Sequence, residues 1–237
     1  MKKKVFSMIL LAISIATLLF GGYGCMKSYL QDKKKSVNDV ALEYMEQKYG
    51  EKFEYVSPWG YRLSKTHELL VRCDSLPEQD ILVQVENYKT VDRVFRDNYL
   101  AVKYKEETIA FFLRSATDVF GDANVFYKVA KMSLSPELSV NATFDEYFSD
   151  PCGFISACIE IKVSSFSDKE QVQKVIDSIT TDYKGEHLAL LIVFVDDELF
   201  GTYNEDTLRE SVVRRQFVRC ARVTGRNSDV QTEWLGG

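Results

Sequence analysis

His67 and His187 are the only histidines in this 237-residue chain, and histidine is the side chain whose ordinary pKa suits general acid–base work near neutrality. Each stands at the start of an apolar strand pattern, where an edge or structural role is the simpler reading. A hydrolase-like enzyme of the cell envelope would pair His67 or His187 with the acidic triplet Asp196, Asp197 and Glu198. That triplet closes the run LALLIVFVDDE, which has the look of a nucleotide-binding enzyme's strand ending on a magnesium ligand. The chain contains no GxxxxGK[ST] loop to cradle phosphates, so the triplet reads as a solvated strand end. A weak divalent-cation site there, assisted by Asp206, is the alternative. No GxSxG elbow accompanies the serines, and no other catalytic signature stands out.

Five cysteines, Cys25, Cys73, Cys152, Cys158 and Cys220, include no CxxC pair, and the histidines are far apart, which argues against zinc. In an exported body the last four would allow three disulfide pairings, with Cys152 to Cys158 the shortest loop. Cys158 and Cys220 fall inside strand patterns, however, where a free thiol behaves as a small hydrophobe, and buried thiols are the favoured reading. Nothing in the sequence implies a cofactor. Two stretches suit binding instead. Trp59 and Tyr61 form an aromatic loop, and Arg214, Arg215 and Arg219 lie in the one concentrated basic stretch, which also holds Arg209, Arg222 and Arg226. Solvated charge and salt bridges account for most of these arginines. If they converge, an anionic phospholipid headgroup or cell-wall polymer is the natural partner.

The elements that would position these residues are legible from capping residues and periodicity. Ser36 and Asp39 have capping-box spacing ahead of a helix that Gly50 closes. Phe53 to Val56 reads as a strand. His67, Leu69, Val71 and Cys73 alternate along a second, and Ile81, Val83 and Val85 along a third, so the pair is a hairpin. Asp97 or Asn98 would cap a long helix to Phe120, followed by a strand at Val125 to Val129. Helix, glycine, acid and strand thus occur twice, at Gly50-Glu51 and Gly121-Asp122, which suggests two related α-β-β-β units. Next come a short helix capped by Thr143 and Glu146, a strand over Ile155 to Val163, and a helix capped by Ser167 and Glu170. A fully buried strand from His187 to Val195, a helix from Glu205 to Gln216, a strand over Phe217 to Val223 and a loose tail complete the pattern. The fold class expected is α+β, with a membrane helix ahead of helix-on-antiparallel-sheet units and a mixed second sheet.

Location follows from the first residues. Lys2 to Lys4 precede an apolar run from Val5 to Phe20, then Gly21, Gly22, Tyr23, Gly24 and Cys25, the pattern of an export signal or a single membrane span. Cys25 would carry a lipid if the segment is a cleaved lipoprotein signal, although Gly22 and Tyr23 depart from the usual lipobox. The expected division is 1–25 anchor, 26–35 polar spacer, 36–97 first unit, 98–225 second unit and 226–237 flexible tail, with the body outside the cytoplasmic membrane. A net charge of −5 and no basic domain argue against nucleic acid as the main partner. An envelope protein or an anionic surface polymer fits better. The stretches YMEQKYGEKFEYVSPWG and DNYLAVKYKEE resemble small membrane-anchored proteins and lipoproteins of Gram-positive bacteria with cystatin-like or PepSY-like α+β modules. That resemblance implies a location and a fold, with no catalytic residues. The function expected is a membrane-tethered binding or interaction module without catalytic activity.

Overall fold

The computed structural model describes residues 35–60, 65–129, 138–226 and 229–235. The chain builds two sheets in succession, each covered by helices. Helix α1 (Val37–Tyr49) starts at the expected capping box, in which the Ser36 hydroxyl accepts from the Asp39 amide and the Asp39 carboxylate from the Ser36 amide. Gly50, at φ 71°, ends it in the left-handed conformation that glycine adopts without steric cost. Strands β1 (Phe53–Pro58), β2 (Thr66–Cys73), β3 (Ile81–Glu86) and β4 (Val94–Asp97) form an antiparallel meander in sequence order. The hairpin register sets His67 opposite Val85, Leu69 opposite Val83 and Val71 opposite Ile81. Those residues share the buried face beneath Ala41 and Met45 of α1. On the outer strand the register of β1 shifts between Tyr55 and Ser57, a bulge that leaves Tyr55 and Val56 about two-fifths exposed.

Strand β4 was not anticipated; Asp97 is its last residue, and Asn98, the other expected cap, is the N-cap of the helix that follows, without a side-chain cap hydrogen bond. The Asp97 carboxylate is nearly buried. It accepts from the Tyr49 hydroxyl at 2.6 Å, Lys48 Nζ at 2.8 Å, the Tyr44 hydroxyl at 3.2 Å and the Tyr99 amide at 3.1 Å. This one acid therefore fastens α1 to the edge of the sheet. Beside it the Tyr99 ring stacks on Tyr49, and its hydroxyl donates to Glu51 at 2.7 Å.

The single long helix expected after Asp97 is two helices, α2 (Tyr99–Lys103) and α3 (Lys105–Phe120), broken at Tyr104. The second sheet follows as β5 (Ala123–Lys128), β6 (Phe154–Lys162), β7 (His187–Val195), β8 (Arg219–Arg226) and β9 (Asp229–Leu235), ordered as in the sequence. Only β6 and β7 run parallel, joined across the sheet by α5 (Lys169–Asp182). The short helix α4 (Phe144–Phe148) lies between β5 and β6, and α6 (Glu205–Val213) between β7 and β8. Ile155, Ala157, Ile159 and Ile161 of β6 join the core with Val172, Val175, Ile176 and Ile179 of α5, in one cluster continuous with that of the first sheet. The opposite face buries Cys158, Val193 and Cys220 beneath Leu208 and Val212 of α6.

Four expectations need correcting. The second unit does not repeat α-β-β-β, because the parallel β6–β7 pair requires a crossover helix that the first sheet lacks. Asp168 caps α5, one residue beyond Ser167, with Gln171 completing the box. Helix α6 stops at Val213. The supposed loose tail contains β9, paired with β8 from Cys220–Leu235 to Arg226–Asp229. Gly225, two residues past the expected strand end at Val223, lies inside β8. A Cβ there would come within 3.2 Å of Val230 and 3.3 Å of Leu188, so its lack of a side chain admits β9. Among the described residues no helix is long and apolar enough to cross a membrane, and the stretch through Cys25 lies outside them.

Candidate functional site

The structure disperses the residues that their types nominated. His67 is 6 % exposed beneath α1, its Nε2 2.8 Å from the Asn38 side-chain oxygen. His187 begins β7 and Asp196 follows its end, so nine residue steps along the strand, roughly 30 Å, separate them. The enzyme constellation of a histidine with Asp196, Asp197 and Glu198 is therefore not assembled. Nor is a cation site: the triplet is exposed, the Asp197 carboxylate accepts the Ser164 amide at 3.1 Å, and no group of three or more metal-ligating side chains occurs among the described residues. The hydrogen bond from Ser164 holds the Asp197 carboxyl below its ordinary range. Behind the same strand end, fully buried Glu160 accepts from the Asn124 amide at 2.7 Å and from the Gly201 backbone at 3.2 Å.

Cys73, Cys158 and Cys220 are buried free thiols, and Cys152 is free and exposed. Burial pushes Cys158 up to about 11 and Cys220 up to about 12, which leaves both as poor nucleophiles. The basic stretch does not converge. Arg209, Arg214 and Arg222 form ion pairs with Glu205, Glu210 and Glu233, while Arg219 lies 4.3 Å above the Phe166 ring. Arg215 sits past the end of α6 at φ 56°. Trp59 is 43 % exposed beside the β1 bulge, and its amide donates to the Glu68 carbonyl. Tyr61 and Cys25 lie outside the described residues.

What the fold does bring together is a groove of about 790 Å³ walled by three helices. Glu107, Ala110, Phe111 and Arg114 come from α3, at the i, i+3, i+4, i+7 spacing that puts them on one face. Phe144, Asp145, Phe148 and Ser149 come from α4 and its end, and Thr181, Asp182 and Lys184 from the close of α5. The floor is aromatic. Phe148 is 4.6 Å from Phe111, 5.2 Å from Phe144 and 5.3 Å from Tyr183, measured between ring centroids.

Each wall is fixed by hydrogen bonds that the sequence supplies locally. Helix α4 starts at the expected box, in which the Glu146 carboxylate accepts from the Thr143 amide at 2.7 Å. The Tyr104 hydroxyl, placed by the break between α2 and α3, donates to the Ala142 carbonyl just before that box. The Tyr183 hydroxyl lies 2.7 Å from the carbonyls of both Gly153 and His187, tying the end of α5 to the starts of β6 and β7. A Cβ at Gly185 would collide with that hydroxyl. Burial raises the pKa of Tyr183, so it stays a neutral donor.

The groove's charges differ in how they are engaged. Lys184 Nζ donates to the Thr180 carbonyl at 3.0 Å, and the Arg114 guanidinium lies over the Phe111 ring at 5.6 Å. Among the described residues, none makes a hydrogen bond or ion pair to the carboxylates of Glu107, Asp145 or Asp182. Such an arrangement can hold a ligand by apolar contact and charge.

The comparisons with known proteins add only a distant likeness. The chain is similar in structure to a DUF5037 family protein from Ruminococcus gnavus ATCC 29149, at 10 % identity and a TM-score of 0.38, over 82 % of this chain and 93 % of that one. No family model matches it, and no curated protein does. Sequence reasoning missed the groove because its walls are separated by about 30 residues each, and Glu107, Ala110 and Arg114 read as the outer face of an amphipathic helix. A usable signal was present in Phe144 and Phe148, two phenylalanines within a five-residue helix.

Proposed function

We propose that this chain is a membrane-tethered, extracytoplasmic binding module that does no chemistry of its own, and that the three-helix groove is its binding site. The observation that carries this reading is the groove itself: a concave volume within the range of ordinary ligand sites, with an aromatic floor and charged groups at its rim. The residues nominated for catalysis support it from the other side, since His67 is held by Asn38 and His187 is far from the acidic triplet. The tether rests on the basic and apolar residues from Lys2 to Phe20, with Cys25 as the lipid acceptor if that segment is cleaved. A helix across a four-stranded antiparallel meander is also consistent with a cystatin-like or PepSY-like module over residues 36–97.

Two measurements test this. A membrane-impermeant maleimide added to intact cells should label exposed Cys152 without lysis; labelling only after lysis would put the body on the cytoplasmic side. Amide hydrogen exchange over residues 105–114 and 143–149 should be slower for the full chain in its native membranes than for the same chain purified in detergent. Filling the groove by Ala110→Trp should abolish the difference. Equal exchange in both settings would show that the groove is not a binding site.

A further inference from the structure

We infer that the groove takes a basic peptide segment, a lysine or arginine side chain flanked by apolar residues. This rests on the groove being the binding site and specifies what occupies it. The first argument is charge complementarity within the groove. Arg114 lies over the Phe111 ring and Lys184 donates to the Thr180 carbonyl, whereas among the described residues nothing is bonded to the carboxylates of Glu107, Asp145 and Asp182. With three acids against two bases, the lining presents a ligand with a net negative charge.

The second argument is the floor. Ring faces carry negative potential and attract ammonium and guanidinium groups, and Arg114 above Phe111 shows that a guanidinium fits against this surface. Third, the groove lies against the carboxyl end of the 14-residue helix α5, where unsatisfied carbonyls favour a cation; Lys184 already uses one of them. Finally, residues 36–237 hold 23 Lys and Arg against 34 Asp and Glu, a net charge of −11, which steers cationic partners toward the body at a distance. An apolar floor beside acid groups asks for apolar and cationic side chains on one ligand. From Glu107 to Arg114 the α3 wall runs for two turns, about 10 Å, the length of roughly three extended residues.

The test uses the full chain in detergent and three capped peptides of one length, Leu-Lys-Phe-Lys-Leu and its glutamine and glutamate counterparts, followed by titration calorimetry, with spermidine as a fourth ligand. The lysine peptide should bind about ten-fold more tightly than the glutamine peptide, and about 0.5 M NaCl should erase most of that advantage. The combined variant Glu107→Gln, Asp145→Asn and Asp182→Asn should erase it as well. A glutamate or glutamine peptide that matches the lysine peptide would overturn the inference, as would spermidine binding equally well or no peptide binding at all. In each of those cases the binding-site reading still stands or falls separately, on the hydrogen exchange of the groove in native membranes.

Discussion

Asp197 at the end of β7 and the carboxylates of the three-helix groove look alike in the sequence and differ in the structure. At the strand end, Asp197 takes the Ser164 amide, and Glu160 behind it takes Asn124 and Gly201. In the groove, Glu107, Asp145 and Asp182 take nothing from the described residues. An acid whose lone pairs are filled by its own chain is part of the architecture. One that remains unfilled beside a concave aromatic surface has capacity for something else. Asp97, with four donors, stands at the far end of that scale.

The scale orders the effects of removing each acid. Asp97→Ala should be the most damaging, about 3–5 kcal/mol, because it leaves Lys48 and two tyrosine hydroxyls without their shared acceptor; urea unfolding of the purified chain measures it. Next, Glu160→Gln replaces one acceptor oxygen with a donor facing Asn124 or Gly201, at a cost of about 1–3 kcal/mol by the same measurement. A cost as large as that of Asp97→Ala would break the ordering.

The third effect is conditional on pH. Burial alone would raise the pKa of Glu51, but hydrogen bonds from Tyr99 and Ser75 outweigh it and hold the carboxyl below its ordinary value. A lowered folded pKa contributes stability that is complete above the unfolded value, about 4.3, and is lost as pH falls through the folded one. The Tm gap between the native chain and Glu51→Gln should therefore be full at pH 6 and shrink below about pH 4. A gap independent of pH would mean that Glu51 acts through its neutral contacts.

The smallest effect belongs to the groove. Glu107→Gln, Asp145→Asn and Asp182→Asn together should leave unfolding free energy within about 0.5 kcal/mol. A large loss would show that these acids are structural after all, and the contrast between the two regions would collapse.

How much of this was readable in advance depended on the distance over which the information is encoded. The Ser36 and Thr143 boxes and the β2–β3 hairpin are local, fixed within a few residues by capping groups and alternation, and they were legible. Strand β4 was hidden by its length, since four residues give too little alternation to separate a strand from a cap. Strand β9 was hidden by Gly225, whose meaning depends on Val230 and Leu188 crossing beside it. The groove was least legible. Its floor requires α3, α4 and α5 to meet, and no single helix shows that its outward residues face two others. The acids at the end of β7 attracted attention for being consecutive, yet adjacency in sequence says nothing about which amides come to meet them.

The bulge in β1 bears on how copies of this chain would behave when crowded together. An outer strand with an unbroken row of free amides and carbonyls is a template on which another chain's strand can add. Here the row is interrupted between Tyr55 and Ser57, and at Pro58 it lacks an amide hydrogen altogether. Neighbouring copies would meet at β1 an edge that resists strand addition, so the exposed Tyr55, Val56 and Trp59 offer contact there without continuing the sheet.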